Sequence, residues 1–290
     1  MKKISTLTGH LGAINSIILL NDGKLASAGD DSTIKIYDLS TFSLLYSLND
    51  HFARVTCLAQ LPTNNYLASA SFDTSIRLWD LNKKKCVLQL CEHDSWVLCL
   101  LILKDKRLVS GSGDYTIKIW NVSKGRTQIT LKGHKSIINC LAQNNENENL
   151  ISSSDDKSIK IWDINNGECL KTICLEGEIN KFEILDNDNY VINFENNIVI
   201  KNIENNNNII IAENIEPTSN VIFLKNKKFL LFGNSHGNLY IFDLENKKII
   251  KEIENIHDDN INNIILNDNK NIITSSNDGL IKIWDFNIEL

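Results

Sequence analysis

Side chains able to move protons recur at fixed spacing along this chain. His134, Ser152, Asp156 and Trp162 form one set; His51, Ser69, Asp73 and Trp79 form a second. His93, Ser110, Asp114 and Trp120, then His257, Thr274, Asp278 and Trp284, add two more, and His10, Ser27, Asp31 and Tyr37 a fifth. An imidazole between a carboxylate and a hydroxyl is the chemistry of an oriented general base beside its nucleophile. A catalytic centre is built once, however, and five copies argue for scaffolding by hydrogen bonds among buried polar groups. The string His93-Asp94-Ser95 reads as a loop, because neighbours in sequence do not converge as a triad.

The elements that position these sets form an internal repeat. Asp31-Ser-Thr-Ile-Lys-Ile-Tyr37-Asp38 returns as Asp73 to Trp79-Asp80, Asp114 to Trp120-Asn121, Asp156 to Trp162-Asp163 and Asp278 to Trp284-Asp285. Worn copies run from Glu195 to Lys201-Asn202 and from His236 to Phe242-Asp243. The closing position falls at 37, 79, 120, 162, 201, 242 and 284, so seven evenly spaced copies fill the chain. Each copy reads as four short strands parted by turn residues; in the second copy they are 54–60, 66–70, 75–79 and 86–90. Four short strands per radial repeat predict an all-β, seven-bladed β-propeller of antiparallel blades in one domain, 1–290. The blades run over 11–50, 52–91, 94–132, 135–174, 177–212, 217–253 and 258–290. Residues 3–8 resemble the strand before Gly133-His134, so the N-terminal segment is expected to complete the last blade and close the ring, leaving no unpaired edges.

These motifs resemble the WD40 repeat family: a Gly-His dipeptide (Gly9-His10, Gly133-His134), a turn Asp and a closing Trp-Asp. The resemblance implies that each His, Ser, Asp and Trp set is a buried chain tying one blade together. It also implies that three positions per blade point onto a narrow face. They are the residues three and five after the histidine slot and the one before the turn Asp. Among them Arg54, Phe72 and Trp96 lie on adjacent copies and combine the residue types of binding hot spots. Trp96 is the one Trp outside the closing slot. Asp30 and Asp155 add acid near them, suggesting a weakly basic ligand. Asn15, Asn139, Asn180, Asn220 and Asn262 share one slot, where amides could solvate the channel or read a peptide backbone. The Trp-Asp-x-Arg box of some ubiquitin-ligase receptors is absent, since Asn82, Ser123, Asn165 and Asn287 fill the Arg position. The Phe-Arg-Arg-Gly motif of phosphoinositide-binding propellers is absent as well.

Composition narrows the partners. A net charge of −6 and only four arginines disfavour nucleic acid and anionic membrane. Polar residues interrupt the apolar N-terminal stretch, and no apolar run approaches a membrane span, so no leader and no membrane insertion are expected. The seven cysteines form no C-x-x-C pair and fall into repeat slots, which reads as small buried residues in a reducing compartment rather than metal ligands. Lys83-Lys84-Lys85 reads as a solvated turn rather than a nuclear address. The asparagine-rich copies five and six lack the polar set, so residues 176–255 are expected to exchange amide hydrogens first. The expectation is a cytoplasmic scaffold that binds a protein or peptide, with nuclear residence open and no cofactor. The alternative is a substrate- or ubiquitin-recognising adaptor in protein turnover, its enzyme recruited as a separate chain. An enzymatic propeller would need a unique polar cluster or metal set, and the sequence offers none.

Overall fold

The computed structural model describes residues 1–63, 65–144, 147–177, 179–185, 189–194, 197–202, 208–212, 220–224, 228–267 and 271–286. They form seven four-stranded antiparallel sheets, the blades of a seven-bladed β-propeller. The only helical turn among them is Val122–Lys124. The chain divides into two compact units, Met1–Val55 with Asn214–Leu290, and Thr56–Glu213.

Six of the seven sheets follow chain order, so each of those blades is a meander of hairpins. In blade two the strands are Val55–Gln60, Tyr66–Ser71, Ile76–Asp80 and Lys85–Leu90, each within a residue of the limits read from the sequence. The second strand of a blade is buried on both faces, as in Leu25–Gly29, Leu108–Ser112 and Leu150–Ser154. It can therefore hold small residues, and a serine whose hydroxyl must find partners inside. The fourth strand exposes its first residues, as in Ser43–Leu48, because its outer edge faces solvent.

Blade seven is completed from the other end of the sequence. Lys2–Leu7 pairs antiparallel with Ile281–Asp285, Lys3 opposite Trp284 and Leu7 opposite Ile281. Leu7, Ile14, Ile17, Tyr37, Ile273 and Ile281 then share one core cluster, so the added strand also seals the packing onto blade one.

Two β-bulges recur in the blades. One interrupts the third and fourth strands at the closing aromatic, at Tyr37, Trp79, Trp120, Trp162 and Phe242. The other lies in the first strand, where Ile14 pairs with Gly29 and Ser16 with Ala28, leaving Asn15 as the extra residue. Leu98, Asn139 and Asn262 are the extra residues of blades three, four and seven. A bulge re-aims the side chain it frees.

The turn between second and third strands has its own signature. The residue after the turn Asp adopts positive φ in Ser32, Thr74, Tyr115 and Lys157 (63°, 68°, 69° and 63°), and glycines hold that place at 237 and 279. The turn is stable enough to force side-chain-bearing residues into a conformation that costs them energy.

Candidate functional site

The repeated polar sets are assembled as buried chains. In blade four the Trp162 indole N–H donates to Ser152 Oγ (2.8 Å). Ser152 Oγ lies 2.7 Å from His134 Nε2, and His134 Nδ1 lies 2.8 Å from Asp156 Oδ2. An indole can only donate and a carboxylate only accept, so the hydrogens run one way: Trp to Ser, Ser to Nε2, Nδ1–H to Asp. A neutral imidazole completes that order, and burial holds His134 below its ordinary pKa, against the opposing pull of Asp156. Blade three repeats the chain through Trp120, Ser110, His93 and Asp114, with bonds of 2.8, 2.7 and 2.6 Å. Blade seven repeats it through Trp284, Thr274, His257 and Asp278, at 3.0, 2.8 and 2.8 Å. In blade one His10 joins Ser27 and Asp31, while the Tyr37 hydroxyl donates to the Thr8 carbonyl. In blade two Trp79 donates to Ser69, Asp73 accepts from Ser75, and His51 is buried.

Each carboxylate closes a turn as well as a chain. Asp31, Asp114, Asp156 and Asp278 accept the amide N–H of the residue after the histidine and one of their own turn. Burial pushes the Asp278 carboxyl up, but the hydrogen bond from His257, with the Leu280 and Asp258 amides, outweighs it. The group sits at about 2. Asp31, Asp114 and Asp156 are lowered against burial by the same kinds of partner. Every member of the chain is thereby occupied, and the hydroxyls are buried away from any substrate.

Blades five and six solve the problem differently. Lys201, buried in the closing slot, has its pKa depressed by that burial, with Glu176 pulling the other way. Phe182 packs edge-on against Tyr190 in blade five, and Phe232 stacks on Tyr240 in blade six with centroids 5.4 Å apart. The hydroxyl slot of the chain is filled by Ile192 in blade five and by Phe232 in blade six, both buried, so apolar packing replaces the hydrogen bonds there. Asn234 Oδ1 accepts from the His236 and Asn238 amides and so does the work of the missing turn Asp.

The asparagine slot is turned between blades. Asn15 Nδ2 donates to the Val55 carbonyl (3.0 Å), Asn139 to that of Ile179 (3.1 Å) and Asn262 to that of Ile14 (2.9 Å). Thr56 does the same to Val97 (2.7 Å). The first-strand bulge explains this, because the extra residue swings toward the next blade. Asn15 and Asn139 also donate to Asp30 and Asp155, and Asn262 to Asn277. These amides are already engaged in bonds to the next blade, and two of the acids expected at a peptide site are held by them within their own blades. Asn220 does not share the slot. Its amide brackets the main chain of Ile264, donating to the oxygen and accepting from the nitrogen. Cys57 makes the same pair of contacts to Leu100, so the worn copy is offset by one residue. The Asn180 side chain lies outside the described residues.

The cysteines divide. Cys57, Cys99 and Cys140 sit in the next first-strand slot with Sγ against carbonyls of Leu100, Ile138 and Phe182. Burial pushes their thiols up, that of Cys140 to about 11, which keeps them protonated. Cys91, Cys169 and Cys174 are exposed, contrary to the expectation of burial, because they belong to the outer strand or its end. No group able to hold a metal ion occurs among the described residues.

The aromatic pair is assembled. Phe72 and Trp96 stack at 4.5 Å with planes 5° apart, and Trp96 remains 45 % exposed. The Trp96 carbonyl accepts the Gly113 amide and the Ser95 carbonyl accepts the Ser112 hydroxyl, so the loop beneath the pair is braced. Arg54 lies in the other compact unit, its Nε 3.9 Å from Asp30. That unit also exposes Leu11 (91 %) and Phe52 (87 %), which the sequence reading missed. Each follows a repeat histidine, a slot held by Asp94, Lys135 and Asp258 elsewhere. An apolar residue in a slot otherwise charged was the available signal.

The repeated buried polar chain defines a repeat-built propeller, and the exposed aromatic pair is an addition to that repeat. The model of the WD domain, G-beta repeat, matches residues 1–38, 42–80, 84–121, 125–163 and 249–285, more than half of the sequence. The chain belongs to the WD40 repeat family. The unmatched stretch spans blades five and six, where the polar chain is replaced. A segment is 35% identical over 68 residues to U3 small nucleolar RNA-associated protein 12 of Saccharomyces cerevisiae, covering 23% of this chain and 7% of that protein. Another is 36% identical over 58 residues to the DDB1- and CUL4-associated factor 11 homologs of Caenorhabditis briggsae and Caenorhabditis elegans, covering 19% of this chain and 10% of each. The chain thus matches a tenth or less of these relatives' lengths.

Proposed function

We propose that this protein is a non-enzymatic scaffold that binds a protein or peptide partner through the blade ends carrying the histidine loops and Asp turns. The observation that carries the reading is the Phe72–Trp96 stack. Blade packing uses the closing Trp and not Trp96, yet a large ring is held half in solvent over a braced loop. Stacked aromatics of this kind are enriched at interface hot spots. The other unit separately exposes Leu11 and Phe52 and carries Arg54, residues of similar composition. Asp30 and Asp155, held by Asn15 and Asn139, present acid toward a weakly basic ligand. Residence in the cytoplasm or nucleus belongs to the same proposal, tested by fractionation of the tagged protein.

The test is quantitative affinity capture with wild type, Trp96→Ala and Arg54→Ala. Trp96→Ala is expected to weaken the principal partner by about 2 kcal/mol or more, some thirtyfold. Identical partner lists and affinities would remove the pair from the interface.

A second reading is an adaptor in protein turnover, favoured by the relatives whose name associates them with DDB1 and CUL4. Co-purification of either protein supports it. The Asn and Ser residues in place of the family's Arg box weigh against it.

A further inference from the structure

Strand alternation puts two kinds of turn at the opposite end of each blade, those joining strands one to two and three to four. At that end of blades two and three lies a groove of about 550 Å³, wholly within the unit Thr56–Glu213. Its apolar wall is made by Tyr66, Leu78, Val87, Leu88, Trp120 and Val122. Val87 stands on an outer strand with its side chain 40 % exposed, so the groove opens to solvent. The volume suits one or two large apolar side chains of a ligand.

The rim has a charge unlike that of the protein. Between Lys83 and Arg126 there are nine Lys and Arg against four Asp and Glu, in a chain whose net charge is −6. Lys85, Lys106, Lys124 and Arg126 are exposed. Lys106 and Lys124 belong to the turns that frame the groove, Lys106 held at a φ of 73°. Asp105 lines the groove but is paired there with Arg107, while Asp114 and Glu92 are engaged elsewhere by His93 and the Thr127 amide. Asp80, just outside the stretch, is paired with Lys83. The Lys83-Lys84-Lys85 turn thus joins a basic frame around an apolar floor.

We propose that this groove is a second docking site, for an acidic peptide segment that inserts one large apolar side chain between flanking carboxylates. Charge complementarity selects the occupant: the floor takes the anchor and the lysines steer and fix its acidic flanks. The site stands at the other end of the blades from Phe72 and Trp96, so the two surfaces could be filled together.

The test uses fluorescence anisotropy with a labelled peptide in which one Phe is flanked on both sides by Glu. Wild type is expected to bind it at moderate salt. Lys106→Glu/Lys124→Glu and Val87→Arg should each weaken it about tenfold or more, with melting temperatures unchanged because all three side chains are exposed. Replacing the peptide's Phe by Ser, or its Glu by Lys, should abolish binding, and Trp96→Ala should leave it intact. Absence of binding at millimolar peptide, equal binding of the Lys peptide, or insensitivity to the groove variants overturns the proposal. Loss of binding in Trp96→Ala would move the peptide to the other end, and preference for single-stranded RNA or anionic vesicles would name a different class of ligand. Both outcomes refute this one.

Discussion

Removing one oxygen from blade four tests the polar chain most directly. Ser152→Ala leaves the backbone, the volume and the neighbouring packing almost unchanged, since Ser152 is fully buried in the second strand. What it deletes is the atom that accepts from Trp162 Nε1 and donates to His134 Nε2. Both nitrogens are then stranded where water does not reach. A buried polar group without a partner costs about 1–3 kcal/mol, so the two together put the loss near 3 kcal/mol, a sizeable part of the ~5–15 kcal/mol that holds a domain together. Trp162→Phe removes the donor. In the double variant one of the two stranded groups no longer exists, so the combined loss should fall short of the sum of the singles by about 1 kcal/mol or more. The assay is urea unfolding followed by far-ultraviolet circular dichroism, comparing midpoints at unchanged slope. A Ser152→Ala protein within about 0.5 kcal/mol of wild type, or strict additivity, would refute the claim that the chain is a stabilising unit.

Acid should dismantle the same chains. Asp278 sits at about 2 against an ordinary 3.8, so the unfolded chain takes the proton first as pH falls. Its contribution, roughly 2 kcal/mol, is complete above about pH 4 and disappears between about pH 4 and pH 2. Asp31, Asp114 and Asp156 act in the same direction, and His134, held low by burial, begins to cost stability below its ordinary 6.5. Urea midpoints from neutral to acid pH should therefore fall steadily; a flat profile contradicts the assignment. Two glycines should respond unequally to alanine. At Gly237 a Cβ would lie 2.0 Å from the His257 carbonyl oxygen, whereas Gly23, also at positive φ, has nothing within 4 Å. Gly23→Ala should cost about 1 kcal/mol and Gly237→Ala clearly more by thermal melting. Equal losses would show that the contact is absorbed. Deleting residues 1–8 should lower the melting temperature of the whole protein, because it bares the edge of Ile281–Asp285; an unchanged temperature would sink that closure.

The architecture was legible because one period carried it. Histidines 27 or 28 residues before five of the seven closing positions could not arise from unrelated elements, and seven four-stranded sheets answer to the seven copies. Side-chain direction was harder to read. Asn15, Asn139 and Asn262 were expected at a surface, but a bulge is a property of two strands in register and leaves no mark in one of them. Asn220 was assigned by counting from a histidine its blade does not have, and the count slipped by one. The cysteines of the outer strands were misjudged because repetition fixes a slot without saying which face of an edge strand it occupies.

The accounting of polar groups separates scaffold from surface. The histidines, hydroxyls and turn acids are held by partners inside their own blade, and the slot amides by the next blade. None is free to act on a ligand without a loss of stability. The residues that remain are those the repeat does not require: the Phe72–Trp96 stack and, at the other end of the same blades, the lysine-framed groove, with Leu11 and Phe52 exposed in the other compact unit. A large exposed side chain in a slot that other copies fill with a charge carries a cost in solubility without a gain in packing. Function is to be sought where this repeat departs from itself, and blades two and three hold both the aromatic pair and the basic groove.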